Sequence, residues 1–359
     1  MLGNELAPVE AHEATGERED EFAFFLAPVA VEDERNFPVG RACLFREHKK
    51  VAEGACLQNS RILKIGKMHH NALIIARNER KMNERIGVRA HDLITSGTPE
   101  ELAKTIQDAG FSCIQLVFKK ALKEPEFTEA YARRVEKALS SRCVSVAMLG
   151  AYFNPVHSDP SVVSSGIDIF KKNLAIASVF PGNPPVGSET GSFNDSPWIY
   201  HPKNRTEEGY QQTKAVFAEL AAHAESLGAD IAIESAYGHV ICDVDRHVRL
   251  LEELHSERVY ATVDLFNLLC PENFAQRDAI FEDALRRLHG KVRIIHIKDG
   301  LVRDGKLIQA NPGEGEFHYE AMMASIKAHA PDAILVFEGV KAPAIETSKR
   351  LILDTLSKI

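Results

Sequence analysis

The sequence predicts an α/β fold, a closed (β/α)8 barrel of parallel strands surrounded by helices, known as a TIM barrel. Three observations support this prediction. Apolar runs typical of buried strands recur roughly every 30 to 40 residues from Ile86 onward, a helical stretch follows each run, and the runs number eight. The pattern contains no second kind of strand. An open doubly wound sheet is the alternative, but no predicted strand leads into a G-x-G-x-x-G turn.

The predicted strands alternate with helices throughout this region. In chain order the strands are 86–91, 113–118, 143–149, 184–191, 231–235, 259–264, 292–297 and 333–338. The clearest helices between them lie near 98–110, 127–140, 160–178 and 205–227. Thr98 is a typical N-cap for the first helix, and Gly110 is typical of its end. The fourth strand has the weakest pattern of the eight.

The composition excludes several classes of protein. Of the 359 residues, 45% are hydrophobic and 26% are charged, which is ordinary for a soluble globular protein. The net charge of −8 leaves no basic footprint, so we expect no nucleic-acid partner. The six cysteines are scattered without a C-x-x-C pair, which favours reduced thiols and a cytoplasmic location. No apolar run approaches the roughly 18 residues that span a bilayer, so we expect no membrane segment.

Residues 1–81 have a different pattern from the rest of the chain. They carry charge clusters such as EREDE and REHKK and keep no sustained strand or helix period. We expect a non-core, poorly ordered N-terminal extension there, with at most a short helix near 68–84. A small auxiliary domain and a natural start at Met82 are the alternatives. The barrel is therefore assigned to residues 82–359.

Chemically reactive side chains lie at the ends of the last four predicted strands. They are Glu234 in IAIES, Asp264 in VYATVD, His296 in VRIIHI and Glu338 in AILVFE. In a (β/α)8 barrel such strand ends meet at one mouth. A single strand-end carboxylate often caps the next helix, but burying three together is unfavourable, and a cation is the usual compensation. Oxygen-rich ligation with one histidine predicts one divalent metal ion, Mn²⁺, Mg²⁺ or Co²⁺, with Zn²⁺ as a further candidate.

These residues also carry a family resemblance. The segments IES, VDLFN, HIKD and FEG, together with VGSETGS and NPGEGEFHYE, resemble the xylose-isomerase-like TIM barrel superfamily. Within it they are similar to the sugar phosphate isomerase/epimerase group, over roughly residues 84–357. The resemblance implies that the four strand-end residues hold one divalent ion.

The resemblance also implies an activity. Similar enzymes transfer a proton next to a carbonyl of a small-molecule sugar or sugar phosphate, through a metal-stabilised enediolate. That makes Glu234 and Glu338 catalytic acid/base groups as well as metal ligands. Related barrels often pair, so a homo-oligomer is compatible with the resemblance.

Two positions depart from the ketose 3-epimerases of this superfamily. Those enzymes typically place a histidine three residues after the aspartate ligand, where this chain has Asn267. They also place an arginine six residues after the histidine ligand, where it has Val302. Other residues near the mouth are therefore candidates to contact the substrate: Asn154, His157, Glu189, Trp198, His239, Asn267, Asp299 and His91. The alternative for each of them is a structural role, as a packed, capping or loop residue or as support for the metal ligands.

The sequence leaves open whether the substrate carries a phosphate. Barrels often bind phosphate on the loops after strands seven and eight, and the segment 311–317, NPGEGEF, lies in that position. Its glycine amides could face an anion, but Glu314 and Glu316 would repel one.

Three other functions are compatible with the same scaffold. A lyase that dehydrates an inosose-like ketone would share every metal ligand and is the main alternative. An abasic-site endonuclease would need three zinc ions and further histidines, and the acidic charge of this chain opposes DNA binding. A non-catalytic sugar-binding barrel would have no need for a buried cation between two glutamates.

Overall fold

The computed structural model describes residues 85–123, 125–340 and 342–359. The extension predicted at 1–81, the short helix near 68–84 and the alternative start at Met82 lie outside the described residues. Within the described part, no helix combines the length and the apolar character that crossing a membrane requires.

Eight parallel strands close into a barrel, and the predicted fold class is confirmed. The barrel strands are β1 Ile86–Arg89, β2 Cys113–Leu116, β3 Ser145–Gly150, β4 Val186–Glu189, β5 Ile231–Glu234, β6 Val259–Asp264, β7 Val292–Ile297 and β10 Ile334–Phe337. They lie in the order β1-β10-β7-β6-β5-β4-β3-β2, so the first and last strands pair and complete the cylinder. The fourth strand is present despite its weak pattern.

Helices surround the barrel. They are α1 Pro99–Asp108, α2 Phe118–Ala121, α3 Glu129–Ser140, α4 Pro160–Ala177, α5 Glu207–Leu227, α6 Val244–Glu253, α7 Arg277–Arg287, α8 Tyr319–His329 and α9 Ile345–Lys358. Short 3-10 turns occupy Ala90–Asp92, Pro202–Arg205, Phe266–Leu268, Phe274–Gln276 and Ala342–Ala344. Thr98 caps α1 as predicted and forms a capping box with Glu101, which satisfies two backbone N–H groups.

The loop after β7 contains strands that the sequence analysis did not anticipate. Strands β8 Asp299–Arg303 and β9 Lys306–Ala310 pair antiparallel, so the expectation of no second kind of strand is wrong. The turn between them is Asp304–Gly305, with φ of 52° and 70°. An Asp-Gly pair in this left-handed conformation is typical of a two-residue hairpin, so the dipeptide was the signal for it.

An apolar layer fills the barrel interior beneath the mouth. It consists of Cys113, Ala147, Met148, Ala232, Ile294 and Val336. Met148 reaches across the lumen from β3, where the Thr262 hydroxyl on β6 donates to its sulfur at 3.7 Å. Gly187 leaves the space for it, because a Cβ there would lie 2.5 Å from the Met148 sulfur. The interior is thus a packed floor on which the residues at the mouth rest.

Candidate metal centre

The strand period places four reactive side chains in one layer above this floor. Alternate residues of a strand face the same side, so the side chains two positions beyond inward-facing residues also point inward. Each of the four mouth residues follows by two positions a residue at the level of the floor: Glu234 follows Ala232, Asp264 follows Thr262, His296 follows Ile294, and Glu338 follows Val336. One ligand atom from each of the four mouth residues lies within 4.8 Å of the others. The structure therefore brings the predicted ligand set together.

The imidazole of His296 is oriented toward the three carboxylates. Its Nδ1 lies 2.8 Å from Glu338 Oε2, 3.3 Å from Glu234 Oε1 and 3.5 Å from Asp264 Oδ2. Its other nitrogen, Nε2, lies 2.7 Å from Gln115 Oε1 on β2. A metal-ligating histidine commonly donates its second N–H to such an oxygen, which fixes the ring and the tautomer.

The electrostatics of this set favour a cation at its centre. Glu234, Asp264, His296 and Glu338 are all buried. Burial alone would lower the pKa of His296, yet Glu234 and Glu338 raise it well above its ordinary value. Three carboxylate oxygens and one imidazole nitrogen are ligands that divalent ions accept. The four residues could therefore hold one such ion, and the donor set fits the predicted cofactor.

Two cationic side chains that the sequence analysis did not single out border the carboxylates. Lys298 Nζ lies 2.8 Å from Asp264 Oδ2 and 3.1 Å from Glu338 Oε1. Arg89, at the end of β1, places Nη1 2.5 Å from the same Glu338 oxygen and holds Asp92 in a bidentate pair. Burial would raise the pKa of Glu338, but Lys298, His296 and Arg89 hold it well below its ordinary value.

Asn267 connects two of the carboxylates. Its side-chain amide donates to Glu234 Oε1 at 2.7 Å, and its backbone N–H donates to Asp264 Oδ1 at 3.2 Å. Lys298 Nζ donates to its side-chain oxygen at 3.4 Å. The residue that replaces the histidine of ketose 3-epimerases therefore lies beside the ligand set and restrains it.

Glu189 adds a fourth carboxylate to the mouth. It ends β4 and pairs in register with Glu234 on β5. Burial raises its pKa well above the ordinary value, and the charges of Glu234 and Glu338 raise it further. The neutral form of this carboxyl group is therefore favoured, and a protonated carboxyl can donate a hydrogen bond.

The carboxylate of Asp299 faces a loop of its own chain. Its two oxygens accept four backbone N–H bonds, from Gly300 at 2.8 Å, Gly313 at 2.9 Å, Phe317 at 3.0 Å and Gly315 at 3.1 Å. The glycine amides that the sequence offered as a phosphate site are thus already bonded to this internal anion. The geometry favours a structural role for Asp299 in shaping the 311–317 loop.

His239 and Trp198 lie together in the loops above the barrel. His239 is fully buried, and burial lowers its pKa to about 4, so the ring is neutral at physiological pH. The exposed indole of Trp198 packs on it with ring centroids 4.6 Å apart. This contact supports the indole of Trp198.

The remaining candidates are held by their own loops. The side-chain amide of Asn154 donates to the backbone oxygens of Ser192 at 2.8 Å and Asn194 at 3.0 Å, which ties the β3 loop to the β4 loop. His157 accepts the backbone N–H of Asp159 at 3.0 Å. For His91, burial and the charge of Arg89 lower the pKa to about 4.

Gln115 and Tyr152 are mouth residues that the sequence analysis missed. Gln115 is fully buried on the inner face of β2, and its side-chain amide lies 2.5 Å from the hydroxyl of Tyr152. The ring of Tyr152 packs against the apolar floor. A glutamine two residues after Cys113, within the apolar run CIQLVF, was the available signal, because a buried polar side chain requires a partner.

The structure has the fold of several solved barrels at low sequence identity. An L-ribulose 3-epimerase is 15% identical, with a TM-score of 0.59, over 76% of this chain and 95% of that chain. A xylose isomerase-like TIM barrel protein from Mycobacterium smegmatis in complex with magnesium is 12% identical, with a TM-score of 0.61, over 76% and 97%. An IOLI protein with a bound zinc atom is 16% identical, with a TM-score of 0.60, over 76% and 98%.

The sequence itself identifies the family. No curated protein matches the chain. The family of xylose isomerase-like TIM barrels, in contrast, matches residues 103–354, which include all four ligand residues and most of the barrel. The chain belongs to the xylose isomerase-like TIM barrel family.

Proposed function

We propose that the protein is a divalent-metal-dependent sugar isomerase or epimerase that transfers a proton next to a carbonyl group. One observation carries the proposal, the buried set of Glu234, Asp264, His296 and Glu338 with ligand atoms within 4.8 Å of one another. Three carboxylates buried together are unfavourable without compensating positive charge; Lys298 and Arg89 supply part of it, and a divalent ion would supply more. The solved structures with this fold support the same proposal, because they include a sugar epimerase, a complex with magnesium and a protein with a bound zinc atom.

The protein groups divide the chemistry between them. A divalent ion held by the set would polarise a sugar carbonyl and make the neighbouring C–H more acidic. Glu338 has two cations on one oxygen, which stabilise its charged form and weaken it as a base. Glu234 accepts a hydrogen bond from the uncharged amide of Asn267. We infer that both glutamates serve as metal ligand and acid/base group, and that the two cations beside Glu338 favour its charged form.

Further mouth residues are proposed to contact the sugar. Glu189 is the strongest of these candidates, because it adjoins Glu234 at the mouth and its surroundings favour the protonated form, which can donate a hydrogen bond. His239 and Trp198 form a wall in the loops, while Asn154 and His157 shape the loops around it. The amides of the 311–317 loop are occupied by Asp299, which favours a sugar without phosphate at that loop.

The remaining proposals concern the whole chain. We propose a barrel domain that begins near Met82, a cytoplasmic location and a small-molecule partner, with a homo-oligomer compatible with the family. The net charge of −8 supports the absence of a nucleic-acid partner.

A solvent-exchange screen tests the proposed activity. Purified protein should contain about one divalent ion that EDTA removes, consistent with a single four-ligand site. In D₂O it should introduce deuterium at the carbon next to the carbonyl of a ketose, and the screen should include sugars, sugar phosphates and an inosose. Loss of water from the inosose would identify the dehydratase instead. Full activity of a metal-free preparation would contradict the mechanism.

A further inference from the structure

A chain of two hydrogen bonds leads from the metal-site histidine to a phenol at the barrel mouth. His296 Nε2 lies 2.7 Å from Gln115 Oε1, and Gln115 Nε2 lies 2.5 Å from the Tyr152 hydroxyl. His296 and Gln115 are buried, so water cannot replace either partner. Once the donor in one of the two bonds is known, the donor in the other bond follows from it.

The orientation of His296 sets the direction of the whole chain. Its Nδ1 faces three carboxylates, and a nitrogen that binds a metal carries no hydrogen. The ring hydrogen must then sit on Nε2 and be donated to Gln115 Oε1. The amide NH₂ of Gln115 is left to donate to Tyr152, whose oxygen accepts. The phenol therefore keeps its own hydrogen free for a different partner.

The surroundings of Tyr152 point to that partner. Its ring packs against the apolar floor of the barrel. The hydroxyl feels the charges of Glu234, Glu338 and Glu189, which raise its pKa further after burial has raised it well above the ordinary value. The phenol consequently stays protonated in the space where a sugar would meet the glutamates.

We propose that Tyr152 is a hydrogen-bond donor to a sugar oxygen that gains negative charge during the reaction, and that Gln115 is the positioning residue that orients it. The inference rests on the proposed function, because it takes His296 Nδ1 as a metal ligand. A donor aimed at a developing oxyanion typically contributes roughly 10²-fold or more to the rate. The ligand class is a carbonyl or hydroxyl oxygen of a sugar, adjacent to the carbon that loses its proton.

Two substitutions test separately the Tyr152 hydroxyl as the donor and Gln115 as the residue that orients it. Tyr152→Phe removes the hydroxyl, and exchange into a ketose in D₂O should fall by roughly 10²-fold. Gln115→Glu still accepts from His296 but cannot donate, so the phenol turns to bond the new carboxylate. Exchange should fall to a similar extent. The double variant should be no slower than Tyr152→Phe alone, because each change removes the same donor, the Tyr152 hydroxyl.

Metal affinity gives a measurement that does not depend on turnover. In chelator competition with Mg²⁺, Tyr152→Phe and Gln115→Glu should bind the ion at least about as well as the wild type, since His296 keeps its acceptor. Gln115→Met removes the acceptor, and the affinity should fall by about 10- to 100-fold. Tyr260→Phe is the matched control, because it removes a hydroxyl from a β6 ring that Arg293 of β7 covers, and it should leave exchange and affinity unchanged.

The position of the histidine hydrogen tests the direction itself. Nuclear magnetic resonance of nitrogen-15-labelled histidine in the Mg²⁺-loaded protein should show the His296 hydrogen on Nε2. A hydrogen on Nδ1, or full exchange activity in Tyr152→Phe, would overturn the inference. So would a Gln115→Glu protein with the wild-type rate. A wild type that exchanges no ketose would contradict the proposed function, while the histidine hydrogen would still decide whether the chain runs in this direction.

Discussion

Replacement of Asp299 by asparagine should destabilise the protein strongly, because its carboxylate organises a loop. The two oxygens accept four backbone N–H bonds, from Gly300, Gly313, Gly315 and Phe317. Asparagine keeps one acceptor oxygen, and its NH₂ group would face two of these donors. Hydrogen bonds to a charged acceptor contribute ~1.5–3 kcal/mol each, so the loss of two predicts about 3–6 kcal/mol.

Urea unfolding followed by circular dichroism measures this loss. A change of this size is a large part of the ~5–15 kcal/mol that stabilises typical proteins, so the midpoint should shift clearly. Asp304→Asn is the matched control, because asparagine readily adopts the φ of 52° found at this exposed hairpin turn. It should unfold like the wild type.

The outcome also separates the two roles that the sequence left open for Asp299. A wild-type midpoint in Asp299→Asn would refute the structural reasoning, and a loss of exchange activity at unchanged stability would favour substrate contact instead. If the loop loses order as expected, the amides of Gly313 and Gly315 become available. Inorganic phosphate should then bind the variant more tightly than the wild type.

Three further predictions concern the ligand set and the barrel boundary. Glu234→Gln and Glu338→Gln should each slow solvent exchange by roughly 10²- to 10⁴-fold, as removal of an acid/base group does. A wild-type exchange rate in either variant would show that its glutamate is not an acid/base group. Lys298→Met should tighten Mg²⁺ binding in chelator competition, because it removes a positive charge beside two ligands; unchanged affinity would show that the ammonium does not oppose the ion. A chain that starts at Met82 should keep the unfolding midpoint and activity of the full chain, since β1 begins at Ile86; a large loss would assign residues 1–81 a stabilising role.

The ligand set was predictable because two local rules coincide. Strand residues alternate between inside and outside, and the ends of parallel barrel strands share one mouth. Glu234, Asp264 and His296 could therefore be placed from their own strands, without knowledge of any partner. The eight strands followed from the same alternation with helices, and the structure confirms them.

The partners of these ligands were not predictable in the same way. Gln115 is separated from His296 by 181 positions, and Arg89 is separated from Glu338 by 249. No periodic pattern links residues that far apart, and contact depends on the relative register of several strands. Lys298 follows His296 by two positions in the segment HIKD, yet its contacts with Asp264 and Glu338 require two other strands.

Closure of the barrel and completion of the site are the same structural event. Strands β1 and β10 pair with Val88 opposite Phe337, which brings Arg89 against Glu338. Asp92 reinforces this seam, because it holds Arg89 and also accepts the backbone N–H of Gly339 at 2.7 Å. The part of the stabilisation of charged Glu338 that comes from Arg89 is therefore present only when the first and last strands meet. Local opening of this seam should release the metal ligand before the rest of the barrel unfolds, so Mg²⁺ should protect the amides of β1 and β10 from hydrogen exchange more than those of β3.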